Sequence, residues 1–386
     1  MKQEIVDEIK AVFKLMYGHE PRLFYSPGRV NLVGEHTDYN LGYALPAAID
    51  KAIYAGIAKR DDNKIRIHSI EFDDAVSTEL HHLRPDEKVW PNYVLGVVDQ
   101  LNKRNYKLTG FDLVFCGDIP IGAGMASSAA VECATVYALN EIFELGISKL
   151  HMAMIAQKAE HEFAGVMCGI MDQFASIFGK ENHGIQLDCR SLEYTYVPLS
   201  LQGHKILLLN SNVKHSLYNT EYNNRRIECG EGVMLVKNQK PEVQSLRDVN
   251  ISMLDQFVKP VNPVIYKRCK YVVEENMRLL NAVECLRTGD IKGLGKEMFA
   301  SHDGLKNDYE VSCPELDFLV DFVRNFPGVI GARMMGAGFG GCTINIVRED
   351  AIDDLINKIL PAYQQAMQLP LNYYLAHIGG GSREIK

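Results

Sequence analysis

The stretch Pro120-Ile121-Gly122-Ala123-Gly124-Met125-Ala126-Ser127-Ser128-Ala129-Ala130 is the part of this chain best suited to holding an anion. Two glycines let the backbone approach a ligand closely. The segment that follows, rich in alanine, reads as a helix. The first amides of such a helix have no intrahelical acceptor and carry partial positive charge, which suits phosphate. Ser127 and Ser128 add hydroxyls at the helix start. Taken alone, the stretch reads equally as a glycine turn with a serine N-cap. It is not a Walker A loop, which needs Gly-Lys-Ser/Thr after four spacer residues. Nor is it the dinucleotide fingerprint, which needs Gly or Ala where Ser127 stands.

A second group is polar. Between Pro27 and Asn40 the chain gathers Arg29, Asn31, Glu35, His36, Thr37, Asp38, Tyr39 and Asn40 among glycines, with no helical stripe. Carboxylates beside an imidazole suit a ligand with many hydroxyls, since each hydroxyl both donates and accepts. Buried groups of this kind also reject analogues that leave them unpaired. Any one of these residues could be a solvated loop residue; the cluster reads as a site. A third group, from Gly331 to Cys342, has five glycines in eleven residues before a strand. It reads as close backbone approach or as a bulged turn.

The elements that position these groups follow from hydrophobic spacing. Ile5, Ile9, Val12, Phe13 and Met16 predict a helix over 3–17. Leu23-Phe24-Tyr25 starts a strand that breaks at Pro27-Gly28. Several short strands are expected from Ala44 to Phe72, with a turn at Asp61-Asp62-Asn63. Residues 111–116 read as a strand feeding the anion loop. Residues 148–165 read as one helix with Ser148 as N-cap. A new strand begins at His204, helices are expected over 215–238, 262–288 and about 315–325, and a strand over 342–347. The domain boundary falls near residue 200, giving an N-terminal domain 1–203 and a C-terminal domain 204–386.

The whole chain bounds the function class. Its 386 residues favour two domains. A net charge of -8 and the lack of a Lys/Arg block argue against nucleic acid as a partner. The nine cysteines are odd in number and show no Cys-x-x-Cys pair, so buried thiols in a reducing compartment are expected. The N-terminal residues lack a signal-peptide core, and no apolar run reaches the roughly 18 residues of a membrane span. The expectation is a cytoplasmic globular protein with no membrane partner.

Together the three groups form a known pattern. GRVNLVGEHTDYNLGYALP resembles the signature of the galactokinase family. PIGAGMASSAA and GARMMGAGFGGC resemble the phosphate loop and third motif of the wider superfamily of galactose, homoserine, mevalonate and phosphomevalonate (GHMP) kinases. WPNY at 90–93, AEHEFAG at 159–165, CGIMDQ at 168–173 and NTEYNNRR at 219–226 match as well. The resemblance implies an α+β, two-domain GHMP-kinase fold: a mixed sheet with helices, then an α+β domain with an antiparallel sheet, and the active site in the cleft between them. It implies transfer of the ATP γ-phosphate to the C1 hydroxyl of α-D-galactose, the first step of galactose catabolism, by a monomer using Mg²⁺. It assigns Arg29 and Asp172 as the catalytic pair. Glu35, His36, Asp38, Gly169, Asp172 and Tyr222 are the sugar-binding set. Gly122, Ala123, Gly124, Met125, Ala126, Ser127 and Ser128 hold the phosphates, Trp90 lies near the adenine, and Ser128 and Glu160 are magnesium ligands. Two departures stand out. The family's Leu-Ser-Ser-Ser is Met125-Ala126-Ser127-Ser128 here, and Met335 stands where Thr is common. Proximity to Arg29 leads to the expectation that Asp172 has a depressed pKa. A sister kinase acting on N-acetylgalactosamine, or a catalytically silent sensor of galactose and ATP, would share much of this pattern.

Overall fold

The computed structural model describes residues 2–213 and 218–386, with the side chains of residues 218–220 left out. In chain order the strands are β1 (Arg22–Asn31), β2 (Tyr43–Ala44), β3 (Pro46–Lys59), β4 (Lys64–Ser69), β5 (Asp74–Glu79), β6 (Phe111–Gly117), β7 (His183–Asp188), β8 (Tyr194–Pro198), β9 (His204–Asn210), β10 (Val329–Met334), β11 (Cys342–Arg348), β12 (Asn372–Ala376) and β13 (Arg383–Ile385). They form three sheets with orders β13-β1-β3-β6-β4-β5, β10-β11-β9-β12 and β2-β7-β8. The first is mixed, because β4 and β6 run parallel. The second is antiparallel throughout. The architecture is α+β.

The sequence pattern explains most of these elements. Ile9 and Phe13 lie on the buried face of a helix spanning Gln3–Tyr17 and ending at left-handed Gly18. The Asp61-Asp62-Asn63 turn separates β3 from β4 as expected. Pro263 opens the long helix Pro263–Thr288 behind an Asn262 cap, and Gly289 closes it. The helix expected over 215–238 spans Tyr218–Lys237; residues 215–217 lie outside the described ones.

Two features depart from the sequence reading. The last strand, β13, returns to pair with β1, so the chain's end belongs to the first sheet and not to the second half of the chain. In addition, one apolar cluster runs from Val30, Leu32 and Leu45 to Leu279, Met298 and Ile344, so the two halves share a core. That shared core seats the loop after β1 against elements of the second half.

Candidate active site

β6 leads into the anion loop, where Gly122, Gly124 and Ala126 all have positive φ (73°, 71° and 59°). The helix Ser127–Phe143 then begins with Ala126 at its N-cap and no side chain capping it. The serine-cap reading is therefore replaced, and the first-turn amides are left to a ligand. A Cβ on Gly122 would meet nothing, so the backbone conformation is what calls for glycine there. The loop packs on the third glycine-rich turn. A Cβ on Gly124 would lie 3.1 Å from the Met335 carbonyl, and one on Gly341 would lie 3.4 Å from the Gly122 carbonyl.

Arg29 comes from an irregularity in β1, where the pairing with β3 shifts between Pro27 and Arg29. Its backbone N–H donates to Met125 O at 3.1 Å, which ties the strand to the loop. Its guanidinium reaches Asp172 through two parallel bonds, Nε to Oδ1 at 2.8 Å and Nη2 to Oδ2 at 2.9 Å. Nη1 donates to the Gly124 carbonyl. Asp172 lies in the first turn of the helix Met171–Phe178. The depressed pKa expected for it is not found. The carboxylate is 28% exposed to the cleft, yet the walls exclude enough water that burial is the largest influence and raises its pKa. The Arg29 pair opposes that rise, and Glu35 adds to it.

The loop after β1 carries two further carboxylates. Glu35 accepts from Gly336 N at 2.7 Å and from Arg333 Nη2 at 3.1 Å. Burial alone would raise the Glu35 pKa, but Arg333 and Arg29 overcome it and hold the carboxyl below its usual value. Among the described residues, no such cation pairs with Asp38. Burial, then repulsion from Asp172, pushes it up to about 7. Gly169 is pressed against it: a Cβ there would lie 1.9 Å from Asp38 Oδ2. Tyr222 and His36 line the same cavity. The His36 ring nitrogens already face Tyr39 Oη at 2.6 Å and Ala337 O at 3.2 Å.

Ser128 Oγ donates to Glu160 Oε1 at 3.0 Å, and Gln173 Nε2 donates to Glu160 Oε2 at 2.8 Å. The expected helix over 148–165 holds as a regular helix only to Ala159, with Ser148 accepting from His151 N. It widens to a π-helical turn over Glu160–Ala164, a type of irregularity found often at functional sites. Burial, then Asp172, pushes Glu160 up to about 7. A hydroxyl beside a carboxylate with no cation paired to it among the described residues is a hard-oxygen pair fitting Mg²⁺, which needs few protein ligands. Among the described residues no three His, Cys, Asp or Glu side chains group to hold a metal. These two residues therefore fit a metal arriving with the nucleotide's own oxygens.

All of this surrounds one cavity of about 850 Å³. It is lined by the sequence-predicted residues Arg29, Glu35, His36, Asp38, Gly169, Asp172 and Tyr222 and also by Gly122, Gly124, Met125, Ala126, Ser127, Ser128 and Glu160. Two expected residues are placed differently. Ala123 is fully buried beneath the loop. Trp90 does not line the cavity: its indole stacks near Phe72 and packs on Phe115, with Nε1 donating to Asp74. Tyr93, one turn further on, supplies the aromatic wall.

Several residues that hold the site were missed in the sequence. Arg333 is fully buried and donates to the Asn31 and Leu32 carbonyls as well as to Glu35. An arginine inside a glycine-rich run was the available signal. Glu275 accepts from Gly34 N at 2.8 Å and from Ser301, while Asn276 accepts from Tyr43 N, so one helix grips both ends of the sugar loop. Gln173 also donates to Glu132 at 3.1 Å, a fully buried carboxyl whose pKa burial and Glu160 raise strongly.

Comparison with known proteins gives the family. Residues 11–59 match the galactokinase galactose-binding signature, residues 92–180 the GHMP kinases N terminal domain, and residues 282–364 the GHMP kinases C terminal domain. A galactokinase of Bacillus subtilis is 41% identical over 387 residues, covering 98% of this chain and 99% of its own. One of Clostridium acetobutylicum is 40% identical, covering 98% of each. The structure of Lactococcus lactis galactokinase complexed with galactose superposes with a TM-score of 0.95 at 34% identity, over 99% of this chain and 100% of the other.

Proposed function

Because the chain belongs to the galactokinase family of the GHMP kinases, we propose that it transfers the γ-phosphoryl group of ATP to the C1 hydroxyl of α-D-galactose, giving galactose 1-phosphate and ADP. The observation that supports this most is the Arg29–Asp172 pair, held at 2.8 and 2.9 Å between a carboxylate-rich pocket and a glycine-lined anion loop. A sugar on one side and a triphosphate on the other would meet at that pair.

Phosphoryl transfer is mostly positioning plus neutralisation of charge. Glu35, Asp38 and Tyr222, with the Gly169 backbone, would fix the hexose through its hydroxyls. The amides from Gly122 to Ser128 would hold the phosphates. Ser128 and Glu160 would hold Mg²⁺, which when bound neutralises charge on the phosphate oxygens. Arg29 faces the transferring group and the Asp172 carboxylate faces the attacking hydroxyl. The raised pKa of Asp172 makes it a better proton acceptor than a surface aspartate. Trp90 would support the adenine end from behind Tyr93.

The test is ADP release with galactose, glucose and N-acetylgalactosamine at matched concentrations. Turnover with galactose well above the other two supports the proposal. Preference for N-acetylgalactosamine, or no turnover with any sugar, refutes it.

A further inference from the structure

We infer that His36 is a strut and not a hydroxyl ligand: its imidazole joins the sugar loop to the third glycine-rich turn, where the Ala337 carbonyl fixes which ring nitrogen carries the proton, and a chain of Tyr39, Tyr309 and Cys229 backs the other nitrogen. The inference rests on reading the cavity as the galactokinase site, and it assigns a positioning role within that site.

The argument starts from one carbonyl. Ala337 O lies 3.2 Å from His36 Nε2 and can only accept, so Nε2 carries hydrogen. The ring is 4% exposed and neutral: burial pushes its pKa down to about 4, with Arg225 and Arg333 adding to the fall while Glu35 and the Ala337 carbonyl oppose it. Nδ1 is therefore bare and accepts from Tyr39 Oη at 2.6 Å. The Tyr39 oxygen then accepts from Tyr309 Oη at 2.7 Å. The Tyr309 oxygen accepts from the Cys229 thiol at 3.3 Å. One acceptor thus sets the direction of three further hydrogen bonds.

The chain joins three separate segments. His36 and Tyr39 sit in the loop after β1, Tyr309 ends the π-helical turn Leu305–Tyr309, and Cys229 is on the helix Tyr218–Lys237. Tyr309 and Cys229 are fully buried. The neighbouring contact has the complementary sense: Glu35 accepts from Gly336 N, and His36 donates to Ala337 O. Two consecutive residues of the sugar loop therefore hold two consecutive residues of the third turn, one through its N–H and one through its carbonyl. Holding both needs His36 in the left-handed region (φ 59°), where its own carbonyl accepts from Asn40 Nδ2 at 2.8 Å. With both nitrogens engaged, the ring offers a sugar its carbon edge and face. The third turn packs on the anion loop, so the strut also sets the nucleotide side of the cavity.

The decisive experiment is a long-range ¹H–¹⁵N correlation spectrum of the full-length enzyme labelled at histidine, with His36 assigned from the resonance lost in His36→Asn. The expected result is the Nε2–H tautomer with bare Nδ1, constant between pH 6 and 8 and unchanged on adding galactose. An Nδ1–H tautomer, an imidazolium, or a tautomer switch on adding galactose would overturn the proposal. Tyr309→Phe supplies the second arm. Loss of one buried hydrogen bond should weaken binding of a fluorescent ADP analogue, measured without sugar, by about threefold to tenfold. Wild-type binding by a folded Tyr309→Phe protein would also overturn the proposal, because a histidine that only contacts sugar leaves sugar-free nucleotide binding untouched. If that variant does not fold, the wild-type tautomer decides alone. Neither readout depends on turnover, so the absence of galactose-dependent ADP release would sink the catalytic reading separately.

Discussion

Asp38→Asn should stabilise the unliganded protein at alkaline pH while removing much of its affinity for galactose. In the folded protein the Asp38 carboxyl is raised from 3.8 to about 7, first by burial and then by Asp172. Between those two values the folded chain keeps a proton that the unfolded chain has released. Stability therefore falls as pH rises through that window, and the deficit is complete above about 7. A shift of about three units corresponds to roughly 4 kcal/mol at most, and about 2–3 kcal/mol of it should develop between pH 5 and 8. Asparagine has no such charge, so it should remove that slope. The amide also alters the bond from Tyr39 N to Asp38 Oδ1, at 2.9 Å, which adds a pH-independent cost of about 1–3 kcal/mol. The difference between the two pH values isolates the electrostatic part. Urea unfolding of both proteins at pH 5 and pH 8 reads it directly, with unchanged m-values as the control. If Asp38→Asn gains no stability relative to wild type between pH 5 and 8, the carboxyl is not held in the state argued here. Galactose affinity should fall at least tenfold, because a sugar hydroxyl that donated to the carboxylate meets an amide in its place.

Asp172→Asn separates a true base from a residue that only orients the hydroxyl. A fall in turnover of about 10²–10⁴-fold is expected for a base, and retention of more than about a tenth of kcat would rule that role out. Gly169→Ala should raise the galactose KM more than about tenfold with the ATP KM nearly unchanged, because its Cβ would lie 1.9 Å from Asp38 Oδ2. Equal effects on both substrates would show that the strain spreads beyond the sugar pocket. Glu160→Gln should raise the Mg²⁺ concentration needed for half-maximal rate by about tenfold or more, and an unaltered Mg²⁺ profile would remove Glu160 from the metal site.

Much of this site was legible because its chemistry is local in the chain. The anion loop needs its glycines and its helix start within ten residues, and the sugar loop gathers Glu35, His36 and Asp38 in four. Periodicity was enough to place the helices Gln3–Tyr17 and Pro263–Thr288 and the strands β6, β9 and β11. What spacing could not carry was the environment. The pKa of Asp172 was misjudged because only its partner, Arg29, was visible; the cost of burying the carboxyl comes from walls contributed by distant segments. The resemblance places Trp90 near the adenine without fixing where its indole points. Its side chain instead turns toward Phe72 and Phe115, and the nearby Tyr93 points into the cavity.

Two of the residues the sequence hid, Arg333 and Glu275, share one physical property: they act on the loop from 301 and 241 positions away. Arg333 reaches Leu32 O across 301 residues and neutralises Glu35, while Glu275 receives Gly34 N across 241. The loop after β1 is not part of a regular element over most of its length, so an exposed version would populate many conformations and hold its two carboxylates, Glu35 and Asp38, loosely. Anchoring from the second half converts it into a fixed acceptor array. A buried arginine is a costly anchor unless its donors are met. Arg333 meets that condition with three carbonyls and one carboxylate. Cutting the Glu35 contact would leave a buried charge on each side. The apolar core shared by the two halves is therefore part of the site: without Leu32 and Leu45 packed beside Leu279, the cation that keeps Glu35 ionised would have no fixed position from which to do so.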